Sequence, residues 1–351
     1  MRILFITWLN PTTTDYALFL ARAWQELGHE VHLLAPEIEN TAHYRSGVPY
    51  LLAWSDPLFR QRVMDRRTEA VACSFQPDLT LVGGSPLISP SCMARLRGLT
   101  SSRIGYVISY NHLFSTAVVK AIQQSDFLLV HDTYLLPLLR GTRYGRREHV
   151  FWRPSMADPQ EHRPLSLSAW DRQAYGAEIA FIGGCGQSRI DTLQPLAQHD
   201  LRIWGGRQWA SVPGLSACFR DEPVYGLKKT KIYNAAQIVI NMEDGEKQIN
   251  AFSERVPEVL ACGGFVLTEW RQDLERTSLI DGESVAIYHD RNDLCEKVRH
   301  YLAHPAERQR ISEAGRRIVL REMTYAVGAA KLAQQFEAVL AARCCSAQPQ
   351  G

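Results

Sequence analysis

The chain opens on an apolar run of β-forming residues, MRILFIT, which stops at a polar loop from Asn10 to Asp15. Behind that loop Ala17, Leu20, Ala21, Trp24 and Leu27 recur at helical spacing, and Gly28 marks a stop. HEVHLLAP then reads as a second buried strand. Strand, helix and strand within about 35 residues make a βαβ unit, and such a crossover implies parallel pairing. The alternation continues through Pro77–Gly84, Arg103–Ser109, Asp126–Asp132 and His149–Ser155. Residues 156 to 176 are rich in Pro, Ser and Arg without clear periodicity and read as a linker. A second alternating series follows at Glu178–Gly184, Leu201–Gly206, Ala236–Met242, Gly264–Glu269 and Ser284–Asp290. Helical stretches close the chain, at Asp293–Leu302 with Ala306–Arg321, and at Tyr325–Ala342.

This pattern predicts an α/β protein of two Rossmann-like, doubly wound parallel sheets facing a cleft. The first domain is expected within residues 1–160 and the second within 170–325. A terminal helix at 326–342, apolar at Val327, Ala330, Leu332, Phe336 and Leu340, is expected to cross back onto the first. Ligands of such sheets sit beyond the carboxyl ends of the strands, so the chemistry is sought in the loops after strands.

Composition narrows the class. The 351 residues are 46% hydrophobic and 22% charged, which is globular rather than disordered or fibrous. A net charge of +2 gives no ground to expect a nucleic-acid partner. Eight cysteines without a C-x-x-C pair suit neither a disulfide framework nor a zinc site, and point to a reducing compartment. With no signal-peptide pattern and no apolar run near the ~20 residues of a membrane span, a cytoplasmic protein is expected. The basic segments Arg60–Arg67 and Arg140–Arg147 read as solvated faces, with peripheral contact to an anionic membrane as the alternative.

Two segments carry most of the chemistry. FIGGCGQSR follows the first strand of the second half and opens a helix. Gly183, Gly184 and Gly186 would let a phosphate approach the backbone, and Arg189 adds a fixed positive charge suited to a diphosphate. A dehydrogenase fingerprint does not fit, because Arg189 stands at the third glycine and the next strand, LRIWGG, ends without a ribose-binding acid. The second segment is ERVPEVLACGGFVLTE, from Glu254 to Glu269. Glu258 near a helix start could accept hydrogen bonds from both ribose hydroxyls, and Arg255, one turn earlier, could hold a phosphate.

This segment resembles the C-terminal domain of group 1 glycosyltransferases of the GT-B type, and among them the CgeB-like branch. Arg255, Glu258, Cys262, Gly263 and Gly264 match that branch's R-x-x-E-x-L-A-C-G-G stretch. FWRPSMADPQEHRP resembles its interdomain crossover, FIGGCGQSRIDTL its phosphate loop and VYGLKKTKIYNAAQIVINM the helix and strand before its nucleotide site. The resemblance implies a transferase that moves a sugar from a nucleoside-diphosphate sugar such as a UDP-sugar to a hydroxyl acceptor on a glycan, lipid, protein or small molecule. It also implies donor binding by Gly183, Gly184, Gly186, Arg189, Arg255, Glu258, Gly263 and Gly264, and leans towards retention. One position departs: the larger family 4 carries a Glu eight residues before the one matching Glu258, where this chain has Asn250, which is counted among the donor-binding candidates.

Candidates for a general base in the first half are Asp15, His112 and Asp132. No H-x-H, H-E-x-x-H or D-x-D constellation stands at a strand end, so no metal and no cofactor are expected, and Arg189 with Lys228, Lys229 or Lys231 would balance the diphosphate. Two alternatives stay open: a sugar-nucleotide epimerase, and a non-catalytic sugar-nucleotide or glycan-binding protein on the same scaffold.

Overall fold

The computed structural model describes residues 1–7, 15–35, 57–83, 87–108, 115–140, 149–221, 224–243 and 248–346. The chain divides into two units, one of Met1–Pro154, Glu246–Ile249 and Gly328–Gly351, the other of Ser155–Gly245 and Asn250–Val327.

In the first unit the order is β1 (Arg2–Ile6), α1 (Asp15–Glu26), β2 (Glu30–Leu34), α2 (Pro57–Phe75), β3 (Leu79–Gly83), α3 (Pro90–Leu99), β4 (Arg103–Ile108), α4 (Thr116–Gln123), β5 (Phe127–Val130), α5 (Leu135–Arg140) and β6 (Val150–Trp152). Its six strands lie in the order β2-β1-β3-β4-β5-β6, and every pair is parallel. Strands covered by helices on both faces lose the polar alternation of a half-exposed sheet. Hence Ile3 to Ile6 run consecutively apolar, and all four are fully buried.

The second unit continues with α6 (Ala169–Tyr175), β7 (Ile179–Ile182), α7 (Gln187–Leu193), β8 (Leu201–Trp204), β9 (Phe219–Asp221), α8 (Gly226–Ala235), β10 (Ile238–Asn241), α9 (Arg255–Ala261), β11 (Val266–Glu269), β12 (Ala286–Tyr288), α10 (Arg291–Ala303) and α11 (Pro305–Glu322). Its parallel sheet runs β12-β11-β10-β7-β8-β9. The winding reverses between β7 and β10, which makes their carboxyl ends the place for a ligand. The short edge strand β9 is absent from the sequence expectation.

The last helix, α12 (Tyr325–Ser346), belongs from Gly328 onward to the first unit. Its Ala329 carbonyl accepts a hydrogen bond from Trp24 Nε1 at 3.1 Å. The Phe336 ring lies 5.8 Å from Trp24 and 5.1 Å from Phe127. Full burial of an aromatic of this size contributes roughly 1.5–3 kcal/mol. The buried stripe is Gly328, Ala329, Leu332, Ala333, Phe336 and Val339, shifted by a residue from the expected one at several positions.

Residues 156–176 are not a loose linker. Met156, Ala157, Asp158 and His162 are buried, Ala157 N donates to Met323 O at 2.9 Å, and Ser168 with Asp171 forms a capping box that opens α6. The Pro- and Arg-rich composition conceals a segment that belongs to the second unit and buries part of its length there.

Candidate donor site on the second unit

The site is built at the carboxyl ends of β7, β10 and β11. Beyond Ile182 the chain enters the glycine loop, where Gly183 N donates to Trp204 O at 2.9 Å and Gly183 O accepts from Trp209 Nε1 at 3.0 Å. Both backbone polar groups of Gly183 are therefore fixed, by the neighbouring strand and by the turn after it. Gly184 and Gly186 are exposed in the same loop. Arg189, half-buried in the first turn of α7, donates through Nη1 to Gly184 O at 3.1 Å.

A second guanidinium comes from α9. Arg255 Nη2 donates to Ile182 O at 2.5 Å, and its Nη1 donates to Asn241 Oδ1. The Arg189 and Arg255 guanidinium carbons each lie 5.9 Å from the Phe181 ring centroid, so two fixed positive charges share one apolar support beside the glycine loop. Guanidinium groups with rigid planar donors in this setting suit phosphate oxygens.

Arg255 is held by a polar network that the sequence reading missed. Asn241, fully buried at the end of β10, accepts from Ser253 Oγ at 2.8 Å as well as from Arg255. Its amide donates to Glu243 Oε1 at 2.6 Å and to Thr268 Oγ1 at 3.0 Å. Ser253 N closes the loop onto Glu243 Oε1 at 2.8 Å. Buried polar groups satisfied in this way rigidify what they carry. The available signal was the sequence Asn241-Met242-Glu243, polar residues directly after a buried strand.

Glu258 lies one turn further into α9 and is 6% exposed. Oε1 accepts from Lys229 Nζ at 3.0 Å and Oε2 from Tyr233 OH at 3.1 Å. His162 Nδ1 accepts from Asp158 N at 3.2 Å, which leaves the proton on Nε2, 3.5 Å from Glu258 Oε1. Burial pushes the Glu258 carboxyl upward, but the Lys229 charge, the His162 ring and the hydrogen bonds from Lys229 and Tyr233 outweigh it and bring it down to about 2. Burial, and then the Glu258 charge, push the Tyr233 phenol up. Glu258 is thus a fixed anion joining α9 to α8.

Several expected donor residues are placed elsewhere. Lys231 pairs with Asp171 at 2.7 Å, on the face of α8 that packs against α6, while Lys229 is the lysine that reaches Glu258. Lys228 is half-buried near the start of α8. Gly263 and Gly264 follow the C-terminal end of α9, at the other end of the helix from Arg255. Gly263 has φ +76°, and a Cβ on Gly264 would stand 2.5 Å from Tyr233 O. The turn into β11 by itself accounts for both glycines. Asn250 is half-buried, and its carbonyl accepts from Asp273 N at 2.9 Å.

On the first unit, Asp132 is 1% exposed. Oδ1 accepts from Tyr134 N at 2.9 Å and Oδ2 from Ile249 N at 2.7 Å. Its neighbour His131, also buried, has an Nε2 without a hydrogen-bond partner. His112 and the side chain of Asp15 lie outside the described residues, as do most of the loop before α1 and residues 84–86 and 109–114.

Comparisons with known proteins agree with this architecture. A family model described as "Glycosyl transferase-like" matches residues 189–334. Sucrose-phosphate synthase from Thermosynechococcus elongatus superposes with a TM-score of 0.69 at 15% identity, covering 97% of this chain and 99% of that one. HepE from Anabaena in complex with UDP-glucose gives a TM-score of 0.67 at 13% identity, covering 96% and 100%. A glycosyltransferase from Rickettsia africae gives 0.68 at 10% identity, covering 97% and 98%. Two doubly wound parallel sheets and these neighbours show the GT-B fold. The spore protein CgeB of Bacillus subtilis is 32% identical over 278 residues, which is 74% of this chain and 83% of that protein. The chain belongs to the CgeB-like family of glycosyltransferases.

Proposed function

We propose that this glycosyltransferase takes its sugar from a UDP-sugar, without a metal ion or other cofactor, and transfers it to a hydroxyl acceptor with retention of configuration. The observation that carries the reading is the pair Arg189 and Arg255, held beside the glycine loop at the point where the second sheet reverses its winding. The two guanidinium groups bind the diphosphate and stabilise the charge that grows on it as the glycosidic bond breaks, the task a divalent ion performs in other transferases. UDP is favoured as the nucleotide because HepE, which shares the fold, was solved with UDP and with UDP-glucose.

Glu258 takes the ribose in this reading. A carboxylate offers about four lone-pair directions; Lys229 and Tyr233 use two and the His162 Nε2–H faces a third. The remaining one can accept a ribose hydroxyl, with the carboxylate already fixed as an anion. Retention follows the lean of the family resemblance, and in that case a donor phosphate oxygen receives the acceptor proton. Mass spectrometry of the full chain incubated with a panel of UDP-sugars and EDTA tests the proposal. Release of UDP with a transferred or hydrolysed sugar is expected, whereas an isomerised but intact UDP-sugar would show an epimerase.

A further inference from the structure

α10 follows β12, the last strand of the chain, and runs over 13 residues, so its last turn lies about 20 Å along the axis from its start. Three side chains meet there: His300 in the last turn of α10, His304 between the two helices, and Glu307 in the first turn of α11. One ligand atom of each lies within 4.8 Å of the other two.

The histidines are oriented as well as close. Positions four apart share one face of a helix, and the His300 and His304 rings stack with centroids 4.2 Å apart and planes 23° from parallel. His304 Nδ1 is 2.6 Å from the His300 carbonyl oxygen. A carbonyl can only accept, so Nδ1 carries the proton and the lone pair is left on Nε2. Metal-binding histidines are commonly fixed by this kind of bond from the second ring nitrogen. His300 Nε2 stands 2.8 Å from Glu307 Oε2, so the carboxylate already lies beside an imidazole. As an ion pair alone, with side chains 48% and 32% exposed, His300 and Glu307 would contribute little.

We infer that His300, His304 and Glu307 form a binding site for a divalent transition metal, with Zn²⁺ as the fitting ion. Two imidazole nitrogens and one carboxylate suit zinc, and solvent exposure leaves water to complete the coordination. Mg²⁺ and Ca²⁺ favour all-oxygen sites and fit poorly. A bound ion ties the end of α10 to the start of α11 and stabilises the folded state by linkage. The site stands apart from the glycine loop and has no part in the transfer chemistry.

The test uses the full chain, stripped of metal by chelation and with accessible thiols alkylated so that cysteines do not compete. Calorimetric titration is expected to show one Zn²⁺ bound, with a matching rise in Tm, and no heat from Mg²⁺. The double variant His300→Ala/His304→Ala should weaken Zn²⁺ at least tenfold and abolish the rise in Tm, and Glu307→Gln should have a smaller effect. Since all three side chains are on the surface, the metal-free Tm and UDP affinity of the variants should match those of the parent. Zn²⁺ affinity unchanged in the double variant, or Mg²⁺ binding as tight as Zn²⁺, would overturn the assignment.

Discussion

Lys229 Nζ donates to Glu258 Oε1 at 3.0 Å, joining α8 to α9 through two side chains that are 12% and 8% exposed. Removing one partner of a buried pair leaves the other charge uncompensated, at a cost of about 3–5 kcal/mol. Glu258→Gln should therefore lower the urea-unfolding free energy by about that amount, and replacing both partners with apolar residues should lower it less. The acid limb provides a second readout. The folded carboxyl is held at about 2 against an ordinary value of 4.5, so its stabilisation is full above pH 4.5 and is lost as pH falls towards 2. The linkage is worth about 3 kcal/mol, and the variant should lack it over this window. A variant as stable as the parent with an unchanged acid limb would mean that the pair contributes nothing to the fold.

The glycine pair tests the division between turn and site. Gly263→Ala places a Cβ at φ +76°, a left-handed conformation that costs an L-residue roughly 1–2 kcal/mol. Gly264→Ala drives a Cβ against Tyr233 O and should cost about 1–3 kcal/mol. Both variants should lower Tm and leave UDP affinity unchanged in the folded protein. Lost affinity without lost stability would return these glycines to the nucleotide site.

Much of the architecture is written in the alternation of apolar runs and helical stripes, because strands covered on both faces have no room for polar residues. Gly183 and Arg189 were legible for the same reason, as they follow directly where the apolar run of β7 ends. What was hidden concerns direction. Lys229 and Lys231 are two positions apart on a helix, and nothing in their identity says that one faces α9 and the other α6. Glu258 reads as a site acid in the sequence, but its contact with His162, from a segment read as linker, is visible only in the fold. Asn241 and Glu243 acquire meaning only when Ser253 and Arg255 are brought back to them by the fold.

Asp132→Ala should act on stability before it acts on chemistry. The substitution strands the backbone N–H groups of Tyr134 and Ile249, at about 1–3 kcal/mol for each that stays buried and unsatisfied. Denaturant melts and turnover measured on the folded fraction separate the two roles. A fully stable variant with turnover reduced 100-fold or more would restore Asp132 as the general base.

The central claim, that two arginines beside the glycine loop hold a UDP-sugar without a metal ion, is tested most directly by calorimetric titration of the full chain with UDP in EDTA. Binding should survive chelation. Arg189→Ala should weaken it 10- to 100-fold, the loss expected when a charge-assisted hydrogen bond of about 1.5–3 kcal/mol is removed. Binding that appears only when Mg²⁺ is added, or an affinity indifferent to Arg189→Ala, would contradict the account.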